Sequence, residues 1–177
     1  MKNYILIGLA AIGMLASSSL FVIDESQRGI VVQFGKVIRE GSSDIPKVYE
    51  PGLHWKWPFI DDVRKLDARI QTLDGQADRF VTSEKKDLII DSYVKWRIED
   101  FSKYYLATGG GSNIQAESLL KRKINNGLRS EIGARTITDI VSGERTEVME
   151  DALRQMARSS ELGIKVVDVR IKQINLP

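Results

Sequence analysis

The sequence contains no cysteine and one histidine, His54. The first absence excludes disulfides, thiolate zinc sites and cysteine nucleophiles. The second excludes a two-histidine metal centre and argues against a catalytic triad. An excess of one charge is also missing. The 26 Lys and Arg stand against 24 Asp and Glu, a net of +2, too balanced for a nucleic-acid binder. No G-x-S-x-G occurs, so the commonest serine-hydrolase signature is absent. The glycine run Gly109-Gly110-Gly111 is followed by Ser112-Asn113. A phosphate loop would need a preceding strand and a Gly-Lys-Ser/Thr ending. Asp61 and Asp62 are adjacent, and neighbouring strand residues point to opposite faces, so they do not converge as an acid/base pair. No internal repeat of solenoid spacing is present. Candidate catalytic, cofactor-binding and metal-ligating residues are therefore none.

What is present begins at the N-terminus. Residues 4–23, YILIGLAAIGMLASSSLFVI, carry no charge. About 20 apolar residues span a hydrocarbon core of roughly 30 Å as a helix. Lys2 and the α-amino group precede the run, and Asp24 and Glu25 follow it. The positive-inside rule then places residues 1–3 in the cytoplasm and everything after residue 23 outside it, in a bacterium the periplasm. The rival is a cleaved signal peptide ending near Ala16-Ser17-Ser18. The four apolar residues 20–23 beyond that site favour a retained anchor.

The rest of the chain, with 42% hydrophobic and 28% charged residues overall, is able to bury a core. RGIVVQFGKVIRE (28–40) reads as a hairpin around Gly35-Lys36. In PGLHWKWPFI (51–60), a strand would place Leu53, Trp55, Trp57 and Phe59 on one face and His54 and Lys56 on the other. DDVRKLDARIQTLDG (61–75) reads as a strand with a bulge or break. DLIIDSYVKWRI (87–98) alternates cleanly, with Leu88, Ile90, Val94, Trp96 and Ile98 on one face. Residues 101–107 predict a short helix. Residues 113–132 predict a longer one, with Leu120, Ile124, Leu128 and Ile132 on its apolar stripe. A further helix starts near Ser142, carries Met149, Leu153 and Met156, and ends at Gly163. IKVVDVRIKQINLP (164–177) returns to period two, with Val167, Val169 and Ile171 on one face. Several strands, two main helices and a final strand make an α+β fold.

Several of these stretches together, "RGIVVQFGKV", "YEPGLHWKWPFI", "DARIQTLDGQADRFVTSEKKDLIIDSYVKWRIEDFSKYYLATGGG", "LLKRKINNGLRSEIG" and "LGIKVVDVRIKQINLP", resemble the SPFH (band 7, prohibitin-like) family. The resemblance implies an N-terminal transmembrane helix (4–23) followed by an SPFH domain. That domain would comprise a β-rich, membrane-proximal subdomain (24–78) and a mixed α/β one (79–177). It implies a single-pass bacterial inner-membrane protein with a periplasmic domain. It also implies a non-catalytic scaffold that joins an HflK-like SPFH protein in a large hetero-oligomer around the AAA+ membrane protease FtsH. The alternative is a general lipid-microdomain scaffold of stomatin or flotillin type with no protease partner. Proteins of this kind continue past the "INLP" segment into a long helix that forms the wall of the assembly, whereas this chain stops at Pro177. The expectation is therefore a chain that keeps the anchor and the SPFH domain but loses much of the assembly interface.

Two surfaces follow from these readings. At least one of Trp55, Trp57 and Phe59 is expected to meet lipid headgroups, the alternative being that all three pack in the first subdomain's core. Glu117, Lys121, Arg122, Arg129 and Glu131, on the long helix, are expected to make subunit contacts.

Overall fold

The apolar N-terminal run folds as a helix, but a shorter one than its hydropathy predicts. In the computed structural model, helix α1 spans Lys2–Ser18, 17 residues or about 26 Å. The hydroxyls of Ser18 and Ser19 both bond back to the Leu15 carbonyl, and serine hydroxyls of this kind compete with the helical ladder. The next four residues favour extended backbone and form strand β1, Leu20–Ile23. The expected membrane helix over 4–23 is thus corrected at its C-terminal end. Among the described residues, no helix is long and apolar enough to cross a membrane. The structure describes residues 1–42, 44–157 and 160–176, apart from the side chains at 143–145, 156, 157 and 160.

The chain forms two units, Met1–Ala68 and Arg69–Pro177. The division falls ten residues before the expected 78/79 boundary. The segment read as one interrupted strand is two strands, β6 (Asp61–Asp67) in the first unit and β7 (Gln71–Asp74) in the second. The break between them is the division itself.

In the first unit, β2 (Gln27–Gln33) is the centre of a four-stranded antiparallel sheet. It pairs with β3 (Lys36–Val37), β4 (Val48–Tyr49) and β6. The β2–β3 turn is Phe34-Gly35, one residue earlier than predicted, and both residues have positive φ, as a two-residue type I′ hairpin turn requires. β1 pairs separately with β5 (Gly52–Trp55) as a two-stranded antiparallel ribbon. Ile23, Ile30, Val31 and Leu66 are buried here. Gly29 on β2 packs closely on Ile23, whose side-chain tip would have to shift to admit a Cβ there.

In the second unit, β9 (Asp87–Ile98) is central. β10 (Ile164–Asn175) pairs along one edge, and β7 and β8 (Asp78–Val81) pair along the other. Leu88, Ile90, Val94, Trp96 and Ile98 are buried on one face of β9, as the alternation predicts. β10 departs from its predicted pattern. Its register slips between Val166 and Asp168 and again between Ile171 and Gln173. Each slip is a bulge, and a bulge swaps which side chains face inward. Ile164, Val166 and Val169 are therefore buried, whereas Val167 is exposed.

The helices of this unit are α2 (Phe101–Ala107), α3 (Asn113–Gly133), α4 (Ile137–Val141) and α5 (Gly143–Ala157). Asp100 caps α2, Ser112 caps α3, and a Thr136/Asp139 capping box starts α4. The buried stripe of α3 is the predicted one with Ala116 and Gly127 added. The helix expected from Ser142 is preceded by α4, and Ser142 ends α4. Met149 and Leu153 of α5 are buried, while the side chain of Met156 lies outside the described residues.

Candidate functional site: apolar and charged surfaces

The ribbon of β1 and β5 sets Leu20 opposite Trp55 and Val22 opposite Leu53. Directly opposed residues in an antiparallel pair share a face. All four are exposed, so one face of the ribbon is wholly apolar and uncovered. The other face carries Phe21 and His54 together with Tyr49 of β4. Their rings lie 5.2–5.7 Å apart, and His54 Nε2 sits 2.6 Å from the Glu50 carbonyl. His54 is therefore a packed, hydrogen-bonded residue.

Trp55, Trp57 and Phe59 are 54%, 55% and 93% exposed, which overturns the core-packing alternative. Their arrangement differs from a single strand face. β5 ends at Trp55, and Trp57 packs edge-on against it at 4.8 Å. Asp61 folds the next residues into a turn, its amide bonding the Trp57 carbonyl and its carboxylate accepting from the Trp57 amide at 3.0 Å. Phe59 sits at the turn with φ +67°.

Sequence reasoning missed the companion of this turn. The β2–β6 ladder ends at the Gln33–Asp61 pair. The Phe34-Gly35 turn and the Phe59-Ile60 turn therefore project from the same end of the sheet. Phe34 is 82% exposed with φ +50°. Positive φ is uncommon for a bulky residue and costs roughly 1–2 kcal/mol. The first unit holds two phenylalanines in that conformation, both displayed outward. Leu20 and Val22 were missed as well, whereas Leu53 was already placed on the tryptophan face. The signal for them was the apolar run itself, which hydropathy assigned to the helix.

On α3 the five expected subunit-contact residues divide. Arg122 and Arg129 lie on the fully exposed stripe with Ser118, Asn126, Ser130 and Gly133. Glu117, Lys121 and Glu131 flank it and are part-buried. Glu131 is held by Arg135 at 3.1 Å, one helical turn on. Glu117 acts on the core instead. Tyr104, fully buried, donates its hydroxyl to Asn113 Oδ1 at 2.5 Å. Burial, and secondarily the negative charge of Glu117, push the Tyr104 hydroxyl from 10.0 up to about 12.

This shift has a stability consequence. The unfolded chain loses the Tyr104 proton before the folded chain does. The stabilisation is complete below pH 10 and is lost as pH rises from 10 towards 12. Stability is expected to fall by about 2 kcal/mol across that window through this group. Denaturant titrations at several alkaline pH values check it, and Tyr104→Phe is expected to remove this component of the decline.

α5 and β10 are joined by a charged network. Arg154 bonds Asp151 at 2.7 Å and Asp168 at 2.9 Å, and Arg170 bonds Asp168 at 3.1 Å. Burial raises the Asp168 carboxyl, but hydrogen bonds from Arg170 and Arg154 outweigh it and hold the group below its ordinary value. The buried Glu150 accepts from the Ile171 amide at 3.0 Å. A cavity of about 250 Å³ opens here, lined by Glu147, Glu150, Asp151, Arg154 and Arg170. A second, of about 300 Å³, is lined by Ile140, Val141, Thr146 and residues 171–174. Neither sets a nucleophile beside a base, and no group of three or more metal-ligating side chains gathers among the described residues.

Residues 21–177 match the SPFH domain / Band 7 family. Protein HflC of Haemophilus influenzae is 54% identical over all of this chain and 61% of its own length. Protein HflC of Vibrio parahaemolyticus is 54% identical over 90% of this chain and 58% of its own length. Modulator of FtsH protease HflC from Escherichia coli K12 is 51% identical over 90% of this chain and 59% of its own length. The chain thus spans about three-fifths of the length of the curated relatives it matches.

Proposed function

We propose that this chain, which belongs to the SPFH domain / Band 7 family, is a non-catalytic membrane scaffold that modulates an FtsH-type AAA+ protease together with an HflK-like partner. The observation that carries the membrane part is the uncovered apolar face of Leu20, Val22, Leu53 and Trp55. It follows directly in the chain from α1, whose residues are all exposed. A soluble protein rarely leaves such a patch open. The tryptophans and the two turn phenylalanines suit the headgroup zone, where amphipathic aromatic rings collect.

At 17 residues, α1 by itself falls short of the roughly 20 that span a hydrocarbon core. The ribbon's apolar face lies in the headgroup zone beside it, because an open two-stranded ribbon does not enter the hydrocarbon with its edges unpaired. Lys2 and the α-amino group at the start of α1 favour an N-terminus in the cytoplasm, with the chain beyond β1 outside it. The inner membrane of a bacterium is the matching location.

The protease part rests on the 51% identity to a protein named for modulating FtsH. Its physical mechanism is steric. A wall of repeated subunits limits which membrane proteins reach the protease, with no chemistry by the scaffold itself. The tagged chain, solubilised gently from its host membrane, is expected to bring down a AAA+ membrane protease and a second SPFH protein, identified by mass spectrometry. Recovery of lipid and this chain alone would replace this reading with a lipid-microdomain scaffold that has no protease partner.

A further inference from the structure

Two lysines stand among the exposed aromatic residues of the first unit. Lys56 lies between Trp55 and Trp57, and Lys36 follows the Phe34-Gly35 turn. The sheet brings them to one end of the unit. Lys36 pairs with Gln33, Gln33 pairs with Asp61, and the Asp61 carboxylate accepts from the Trp57 amide. The Lys56 amide donates to the Ser19 carbonyl at 2.7 Å. Ser19 is the residue between α1 and β1, so Lys56 is fixed at the level where the apolar helix ends. Neither lysine has an ion-pair partner among the described residues. Arg39 and Arg64 of the same unit, by contrast, hold Asp44 and Asp62. Asp61 is buried and occupied by the Trp57 amide. The two ammonium groups are therefore the uncompensated charges beside the aromatic residues.

We propose that this end of the first unit selects phospholipids with anionic headgroups, Lys36 and Lys56 meeting their phosphates. This selectivity rests on the membrane seating of the ribbon and specifies the lipid class it meets. A lysine stem lies along apolar surface while its ammonium reaches into the polar layer. Lys56 is part-buried between two tryptophans and Lys36 is exposed beside Phe34, which suits both to that posture. A zwitterionic headgroup carries its own ammonium, which offsets its phosphate. An anionic headgroup leaves the phosphate charge free for a lysine. Each lysine near an anionic bilayer surface is worth about fivefold in local binding. Lys65 provides an internal contrast. It is also exposed and without an ion-pair partner among the described residues. It sits opposite Gly29, about 13 Å along β6 from Asp61.

The full-length chain, reconstituted in phosphatidylcholine vesicles with a minor share of phosphatidylglycerol, tests this at constant lipid composition. Bromine is placed on the phosphatidylglycerol, or on an equal amount of the phosphatidylcholine. From tryptophan quenching, the anionic label is expected to be enriched at least about fivefold over the zwitterionic one around Trp55 and Trp57. Raised salt is expected to weaken that enrichment. Lys36→Gln/Lys56→Gln is expected to bring the two labels to parity. Quenching by labelled phosphatidylcholine should persist in this variant, which shows the ribbon still folded and seated. Lys65→Gln, an equal loss of charge, is expected to keep the enrichment. Equal quenching by both labels in the parent chain would overturn the selectivity and leave the membrane seat standing. So would an enrichment that survives the double variant, or one that Lys65→Gln abolishes. Quenching by neither label would overturn the seat itself, and the selectivity with it.

Discussion

In lipid vesicles, acyl chains brominated near the headgroup are expected to quench most of this protein's tryptophan emission, and Trp55→Phe/Trp57→Phe is expected to abolish that quenching. The chain has three tryptophans, and they occupy opposite environments. Trp96 is fully buried on the central strand β9, stacked with Tyr104 at 6.3 Å. Trp55 and Trp57 are half exposed beside Leu20, Val22 and Leu53. In the double variant only Trp96 emits, and its protein surroundings keep lipid bromine away. Burying two tryptophan faces of about 100 Å² each stabilises the seated state by about 5 kcal/mol in total. Exchange to serine rather than phenylalanine is therefore expected to loosen the first unit's hold on the bilayer strongly. Unchanged quenching in Trp55→Phe/Trp57→Phe, or none in the parent chain, would remove the ribbon from the membrane.

Gly163→Ala is expected to destabilise the second unit by about 2–5 kcal/mol, a large part of the 5–15 kcal/mol that holds a typical domain. Gly163 is buried, immediately ahead of β10, at φ +65°. Its carbonyl accepts from the amides of both Glu99 and Asp100, at 2.9 and 3.1 Å. This joins the start of the last strand to the entry of α2. A Cβ here would be driven into the Asp100 carbonyl and the Tyr104 amide, and both are backbone groups that cannot swing aside. The left-handed backbone costs about 1–2 kcal/mol for alanine, and overpacking adds about 1–3. The melting temperature should fall by about 8 °C or more. Gly109→Ala is the control. Its φ is also positive, at +62°, but a Cβ there meets only the side chain of Gln115, at an ordinary 3.6 Å. It should cost about 1–2 kcal/mol. Equal effects at the two positions would show that close packing at Gly163 contributes nothing.

The two units differ in how far their sequences disclose them. Strand β9 and helix α3 were legible because each buries one continuous face. Strict alternation over 87–98 and the four-residue spacing of Leu120, Ile124, Leu128 and Ile132 survive in the fold unchanged. β10 was legible as a strand, yet its inward face was misassigned up to Val167, ahead of the register shift that brings Val169 inward as expected, because a bulge leaves no mark in local hydropathy. The N-terminal run was misread at its end for a related reason. Leu20–Ile23 are as apolar as the helix before them, and only their pairing with β5 makes them a strand.

The candidate surfaces follow the same division. Two tryptophans two residues apart point to an unusual site, but alternation alone cannot separate a core face from an uncovered one. Their exposure was decided by β1, which covers one edge of β5 and leaves the apolar face open. On α3, charge alone selected five residues. Helix orientation reduced the exposed ones among them to Arg122 and Arg129. By itself, the sequence determined the family, the α+β class, the two main periodic elements and the absence of the commonest catalytic signatures, because periodicity and motif spacing are local. Tertiary structure alone decided where α1 stops, where the units divide, and which way Phe34 and Phe59 point. Those outcomes depend on strand pairing, bulges and burial between residues distant in the chain, where local preference carries no information.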